Sequence, residues 1–128
     1  MRSNYRMALT LLGGIALGGG LIHGLHAQTK APAYVVVAIR KINDADAFKA
    51  GVVDKATPDS LTAAGGKYVI RTQSVTALDG TPPQRFVLIA FDSVEKAKAW
   101  NDSAGQKEIN AARMKSTDSL SFIIEGLN

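Results

Sequence analysis

Ala33 to Arg40 reads AYVVVAIR and Arg85 to Phe91 reads RFVLIAF, two runs that are apolar at almost every position. Side chains alternate between faces along a strand, so Val35, Val37 and Ile39 share one side of the first run while Tyr34, Val36 and Ala38 share the other. In the second run Phe86, Leu88 and Ala90 oppose Val87, Ile89 and Phe91. A sheet with one wet face would carry polar residues at alternate positions, and these runs do not. Both faces are therefore expected to be covered, one by the chain's own helices and the other by a second copy of the same sheet. Two more strands are predicted: Lys67 to Val75, rich in Val, Ile, Thr and Tyr, and Ser119 to Glu125 (SLSFIIE), closed by Gly126. Asp79-Gly80 and Pro82-Pro83 punctuate the nine residues between the second and third strands, which predicts a ragged or bulged hairpin end rather than a two-residue turn.

Between the strands the spacing turns helical. Asn43 or Asp44 caps a helix whose buried stripe is Ala47, Phe48, Gly51 and Val52. Gly51 and Thr57-Pro58 predict that this helix weakens and restarts, with Thr57 as the new cap and Pro58 in the first turn, where its missing N–H costs nothing. Leu61 and Ala64 continue the apolar side, and Gly65-Gly66 ends it by allowing a left-handed residue. Asp92-Ser93 opens a second helix with Val94, Ala97 and Trp100 on one stripe. Asn101-Asp102-Ser103 interrupts it, and Ser103 with Gln106 fits a capping box for a further helix carrying Ile109, Ala112 and Arg113. The order β-α-β-β-α-β predicts an α+β, ferredoxin-like domain: a four-stranded antiparallel sheet with helices on one face. A lone domain of this size does not leave the other face in water, so the expected assembly is a homodimer through the sheet face, a dimeric α/β barrel.

Composition narrows the chemistry. The 128 residues include no cysteine, which removes disulfides, a thiolate nucleophile, cysteine-based metal sites and a lipid anchor on cysteine. Residues 1–27 read as an export signal: Arg2 and Arg6 make a basic start, Met7 to Ile22 is uncharged, and Leu25-His26-Ala27 places a small residue at the cleavage position. The competing reading is a retained anchor, against which stand the shortness of the run and six glycines between Gly13 and Gly24. Either way the expected location is periplasmic or secreted, with membrane contact only through an uncleaved leader. Residues 28–32 then form a linker and 33–128 the domain. Beyond Arg2 and Arg6 there remain 13 basic and 11 acidic residues, scattered, so nucleic-acid binding has no electrostatic basis. His23 and His26 are the only histidines and both fall in the leader. No metal-ligand constellation, haem ligand or glycine-rich phosphate loop is expected, and no cofactor is implied.

A few polar residues stand out in apolar surroundings. Arg71 and Arg85 fall toward the same end of the predicted hairpin, where either could hold a carboxylate or enolate bidentately. The competing expectation is an ion pair with Asp79, Asp92 or Glu125. Tyr68 either donates into a cleft or stands half-buried with its hydroxyl in solvent. Trp100 reads first as a core anchor. Arg113 either caps the cleft or is solvated. The carboxylates are spread singly, so a general base would have to be a shifted Asp or Glu, Tyr68, or a depressed lysine such as Lys67.

The runs GGKYVIR (65–71) and QRFVLIAF (84–91), Ala97 with Trp100, Ser103 and the closing Ile-Glu-Gly (124–126) resemble the domain-of-unknown-function 1330 family over roughly residues 33–127. The resemblance implies the dimeric α/β-barrel fold and carries a recurrent polar set over to Tyr68, Arg71, Arg85, Trp100, Ser103 and Arg113, the candidate ligand-binding residues. It also implies kinship with barrels that include cofactor-free monooxygenases. Where the family usually shows an aromatic, a proline and a tyrosine, this chain has Asn101, Ala104 and Gln106; Arg71-Thr72-Gln73 replaces a glycine pair. Three functions are consistent with the chain: an exported binding domain for a small organic acid or carbonyl compound, a cofactor-independent monooxygenase- or isomerase-like enzyme in the same cleft, or a structural dimer whose cleft is filled by Phe48, Leu61, Trp100 and Ile109. Its residues leave open whether it is catalytic.

Overall fold

The computed structural model describes residues 30–128, so the leader expected over 1–27 lies outside the described residues. Four strands, β1 (Ala33–Ile42), β2 (Lys67–Thr72), β3 (Arg85–Phe91) and β4 (Thr117–Glu125), alternate with two split helical segments. The first is α1 (Ala45–Phe48), which runs on as a π-helical turn over Lys49–Val53, followed by α2 (Pro58–Ala63). The second is α3 (Val94–Asp102) and α4 (Ala104–Ser116). The strands lie in the order β2-β3-β1-β4, each neighbouring pair antiparallel. This is the ferredoxin-like fold.

Each helix starts where a short polar side chain can take an orphan backbone N–H. Asp44 Oδ1 accepts from Ala47 N at 3.0 Å, Thr57 Oγ1 from Ser60 N at 3.4 Å, Ser93 Oγ from Lys96 N at 3.2 Å and Ser103 Oγ from Gln106 N at 3.4 Å. Gly65, with φ of 87°, ends α2. Gly51 matters for a different reason: a Cβ there would lie 2.6 Å from the Ala112 Cβ, so a bare Cα lets the π-helical turn seat directly on α4.

One face of the sheet carries the core. Val35, Ile89 and Phe91 are buried beneath Leu61 and Ala97, with Trp100 packed against Phe91 at a centroid distance of 5.4 Å. On the other face Ile70, Leu120, Phe122 and Ile124 are 39–44% exposed. Only the centre of that face is shielded: Val36 pairs with Leu88 on one side and Phe122 on the other and is buried between them.

Three strand boundaries differ from the expected ones, each for a hydrogen-bonding reason. β2 stops at Thr72 rather than Val75, because Thr72 Oγ1 accepts from Ser74 N and turns the chain, while Gln84, ahead of β3, bonds instead to the end of β1. β1 continues past Arg40 through a bulge between Ile39 and Lys41. β4 begins at Thr117, two residues early, since its hydroxyl donates to the Arg113 carbonyl at 2.6 Å and α4 passes straight into the strand.

Candidate functional site

Between the helices and the inner face of the sheet lies a cavity of about 70 Å³, room for a few waters or part of a compact organic molecule. Val37, Ile39, Val87 and Ile89 form its floor; Phe48, Leu61, Trp100 and Ile109 form much of its cover. Those four cover residues are the ones that could have filled the cleft, and they leave it open. A shallower groove that shares Ser60, Trp100, Gln106 and Ile109 with it runs outward between α2 and α4.

The polar groups of the cavity are cationic or neutral. Arg71, Arg85 and Arg113 line it, together with Tyr68, Asn101, Gln106 and Asn110, and among the described residues no aspartate, glutamate or lysine does. Tyr68 and Arg71 are three residues apart, which strict alternation would place on opposite faces. A bulge in β2 resolves this: Tyr68 pairs with Ile89 and Ile70 with Leu88, so Val69 is left over. The extra residue advances the alternation by one step, putting Ile70 on the outer face and Arg71, opposite Val87, on the inner one. The Arg71 guanidinium then lies 4.7 Å from the Tyr68 ring centroid, and that of Arg85 lies 5.6 Å from the Phe48 ring. Tyr68 Oη donates to the Ala56 carbonyl at 3.3 Å, which joins β2 to the segment after the π-helical turn.

The expected ion pairs of Arg71 or Arg85 with Asp79, Asp92 or Glu125 are not formed. Among the described residues the salt bridges are Arg40–Asp118, Lys49–Asp54 and Lys96–Asp92, all between exposed side chains. Burial lowers the Arg85 pKa, and the neighbouring Arg71 charge lowers it further, against a smaller opposing contribution from Tyr68. The Arg85 guanidinium remains charged, as arginine does in proteins.

Arg113 lines the cavity and is not solvated. It is 8% exposed, and desolvation lowers its pKa. Nη1 donates to Ser119 Oγ at 3.2 Å and Nη2 to Asn110 Oδ1 at 3.3 Å. Asn110 also accepts from Gln106 Nε2 at 3.0 Å and donates to Asn101 Oδ1 at 2.9 Å. A neutral amide chain therefore fixes one side of the guanidinium.

Of the six candidate residues, Tyr68, Arg71, Arg85, Trp100 and Arg113 meet at the cavity. Ser103 does not. It borders the outer groove, and its hydroxyl donates to the Trp100 carbonyl at 2.7 Å while capping α4, so it holds the bend between two helices. Its partner in the predicted capping box, Gln106, turns its side chain to Asn110 instead. Asn101 and Gln106, both departures from the family pattern, line the cavity with Asn110, and Ser119 anchors Arg113; none of the four is among the candidates that the sequence offers. The spacing of Gln106, Asn110 and Arg113, at i, i+4 and i+7 on one helix face, was the available signal.

Residues 32–127 match the family described as Domain of unknown function (DUF1330). The chain belongs to it. Among solved structures, the chain is similar to a protein of unknown function from Rhodopseudomonas palustris, with 18% identity and a TM-score of 0.61 over 77% of this chain and 85% of that one. Two others are provisionally described as antibiotic biosynthesis monooxygenases. The one from Caulobacter crescentus has 14% identity and a TM-score of 0.54 over 77% of this chain and 92% of that one. The one from Nitrosomonas europaea has 23% identity and a TM-score of 0.52 over 76% of this chain and 99% of that one. At these identities the similarity establishes the fold alone. No curated protein matches the chain.

Proposed function

We propose that this DUF1330 domain binds a small organic acid in the cavity between its helices and its sheet. The observation that carries this reading is a cavity lined, among the described residues, by three arginines and no carboxylate, with apolar and neutral polar side chains over the rest of its wall. Uncompensated guanidinium groups at an apolar, partly desolvated site favour a ligand that supplies the missing negative charge, and the planar fork matches a carboxylate. Among the described residues the lining has no imidazole, carboxylate or amine placed to abstract a proton, and the Tyr68 hydroxyl donates to a backbone carbonyl. Binding therefore accounts for the site with fewer parts than catalysis. The monooxygenase descriptions belong to proteins whose likeness to this chain lies in the fold.

The reading includes two further parts. The exposed apolar face of Ile70, Leu120, Phe122 and Ile124 supports a homodimer formed sheet to sheet. The basic start, uncharged run and small residue at position 27 support export to the periplasm or beyond.

A thermal-shift screen of small carboxylic acids tests the binding reading. At least one acid raises the Tm of the protein, and Arg85→Ala removes that increase. An acid-independent Tm across the screen, or an increase indifferent to Arg85, would count against this site.

A further inference from the structure

We propose that the acid is a short dianion: two carboxylates joined by an apolar span, one held by Arg71 and Arg85 and the other by Arg113. This rests on the acid-binding reading and adds to it the number and placement of the charges. Strand register separates the arginines into two ends. Ile39 of β1 pairs with Arg85 on one side and with Ser119 on the other. Arg85 and Ser119 therefore lie two strand spacings apart, about 10 Å between Cα atoms. Arg71 stands at the Arg85 end, opposite Val87, while the Arg113 guanidinium donates to Ser119 Oγ at the other end.

The two oxygens of a single carboxylate share one carbon and meet one guanidinium fork, so a monoacid leaves one end of the cavity without an acceptor. The unmet end is costly at Arg113 in particular. Its side chain is 8% exposed, its side-chain partners are the neutral Ser119 and Asn110, and two hydrogen bonds leave part of its five-donor capacity unused. Asn110 cannot turn to serve another acceptor without breaking its bonds to Gln106 and Asn101. Between the two ends the floor is Val37, Ile39 and Val87. In a cavity of about 70 Å³ a short chain of methylene groups suits that stretch, and a ring or a third charge does not.

Calorimetric titration with succinate, glutarate and adipate beside butyrate, pentanoate and hexanoate, at one ionic strength, tests the assignment. At least one diacid binds about tenfold or more tighter than the monoacid of equal chain length, the gain of one further charge-assisted bond. Arg113→Met collapses that ratio to within about twofold while monoacid affinity persists through the Arg71–Arg85 end. If Arg113→Met does not fold, Arg71→Gln combined with Arg85→Gln reads the opposite end and collapses the same ratio. Equal affinity for diacids and monoacids in the unsubstituted protein, or a diacid preference that survives both substitutions, overturns the dianion while leaving acid binding in place. Absence of binding by every acid overturns the acid-binding reading itself.

Discussion

Arg113 sets the chemistry at the scale of the single residue. Its charge is buried, its hydrogen-bonding partners are neutral, and among the described residues no carboxylate pairs with it. Stability alone gives little reason to keep such a group, because exchanging buried ionic groups for apolar ones is often neutral or stabilising. Arg113→Met forfeits the bonds from a charged donor to Ser119 and Asn110, each worth about 1.5–3 kcal/mol, and recovers the desolvation of the charge. The ligand-free Tm of Arg113→Met is accordingly expected to stay within about 5 °C of the parent, while stabilisation by a bound diacid falls away. Differential scanning fluorimetry with and without the acid separates these terms. A large loss of ligand-free stability with the acid response intact would make Arg113 a structural residue instead. Of the sequence-level candidates, Arg113 is the one whose environment was least legible: its neighbours Ile109 and Ala112 announced a helix face, but only the approach of β4 beneath that face closes water out.

Among the elements, β2 shows how one inserted residue decides what a strand can do. Val69 has no partner on β3, and beyond it the alternation is reversed, so Arg71 faces the cavity with Tyr68. β2 is an edge strand followed by a long connection to β3, so shortening it by one residue disturbs few other contacts. Deleting Val69 is expected to restore regular pairing with Tyr68 still opposite Ile89 and Arg71 still opposite Val87, so that both stay on the inner face. Acid affinity should then stay within about twofold of the parent, with the far-UV circular dichroism retained, whereas Arg71→Ala weakens it. Affinity falling to that of Arg71→Ala would show that Arg71 had left the inner face and that Val69 is not the surplus residue. The hairpin's irregularity was expected from the length and turn residues of its connection, yet the bulge lies inside the strand. Nothing in Lys67 to Thr72 marks Val69 as the surplus residue, because Val69 and Ile70 are equally good strand formers.

Among the described residues of the whole molecule, one apolar sheet face has no element packed over it. Ile70, Leu120, Phe122 and Ile124 stand on it, and the inner side of the same sheet is already occupied by the helices and the cavity. Light scattering coupled to size exclusion is expected to give twice the protomer mass. Phe122→Asp, which sets a carboxylate in the middle of that face beside Val36, is expected to give the protomer mass with the acid-induced Tm increase preserved, since Phe122 lies on the far side of the sheet from the cavity. A monomeric parent protein would remove the reason for the apolar second face. So would a Phe122→Asp dimer that persists at micromolar concentration.

The residues of this chain, taken in order, determine its strands, its caps and its ferredoxin-like order. Those features depend on local pattern: two-residue alternation, helical stripes, and short polar or glycine residues at the breaks. They also determine that both faces of β1 and β3 are apolar. The tertiary structure alone decided that three arginines far apart in the chain share one cavity, that a bulge turns Arg71 inward, and that Arg113 is buried while Ser103 holds a helix bend. Each of those outcomes depends on register and on the approach of distant segments, and side-chain direction in a sheet reverses with a single residue of slip.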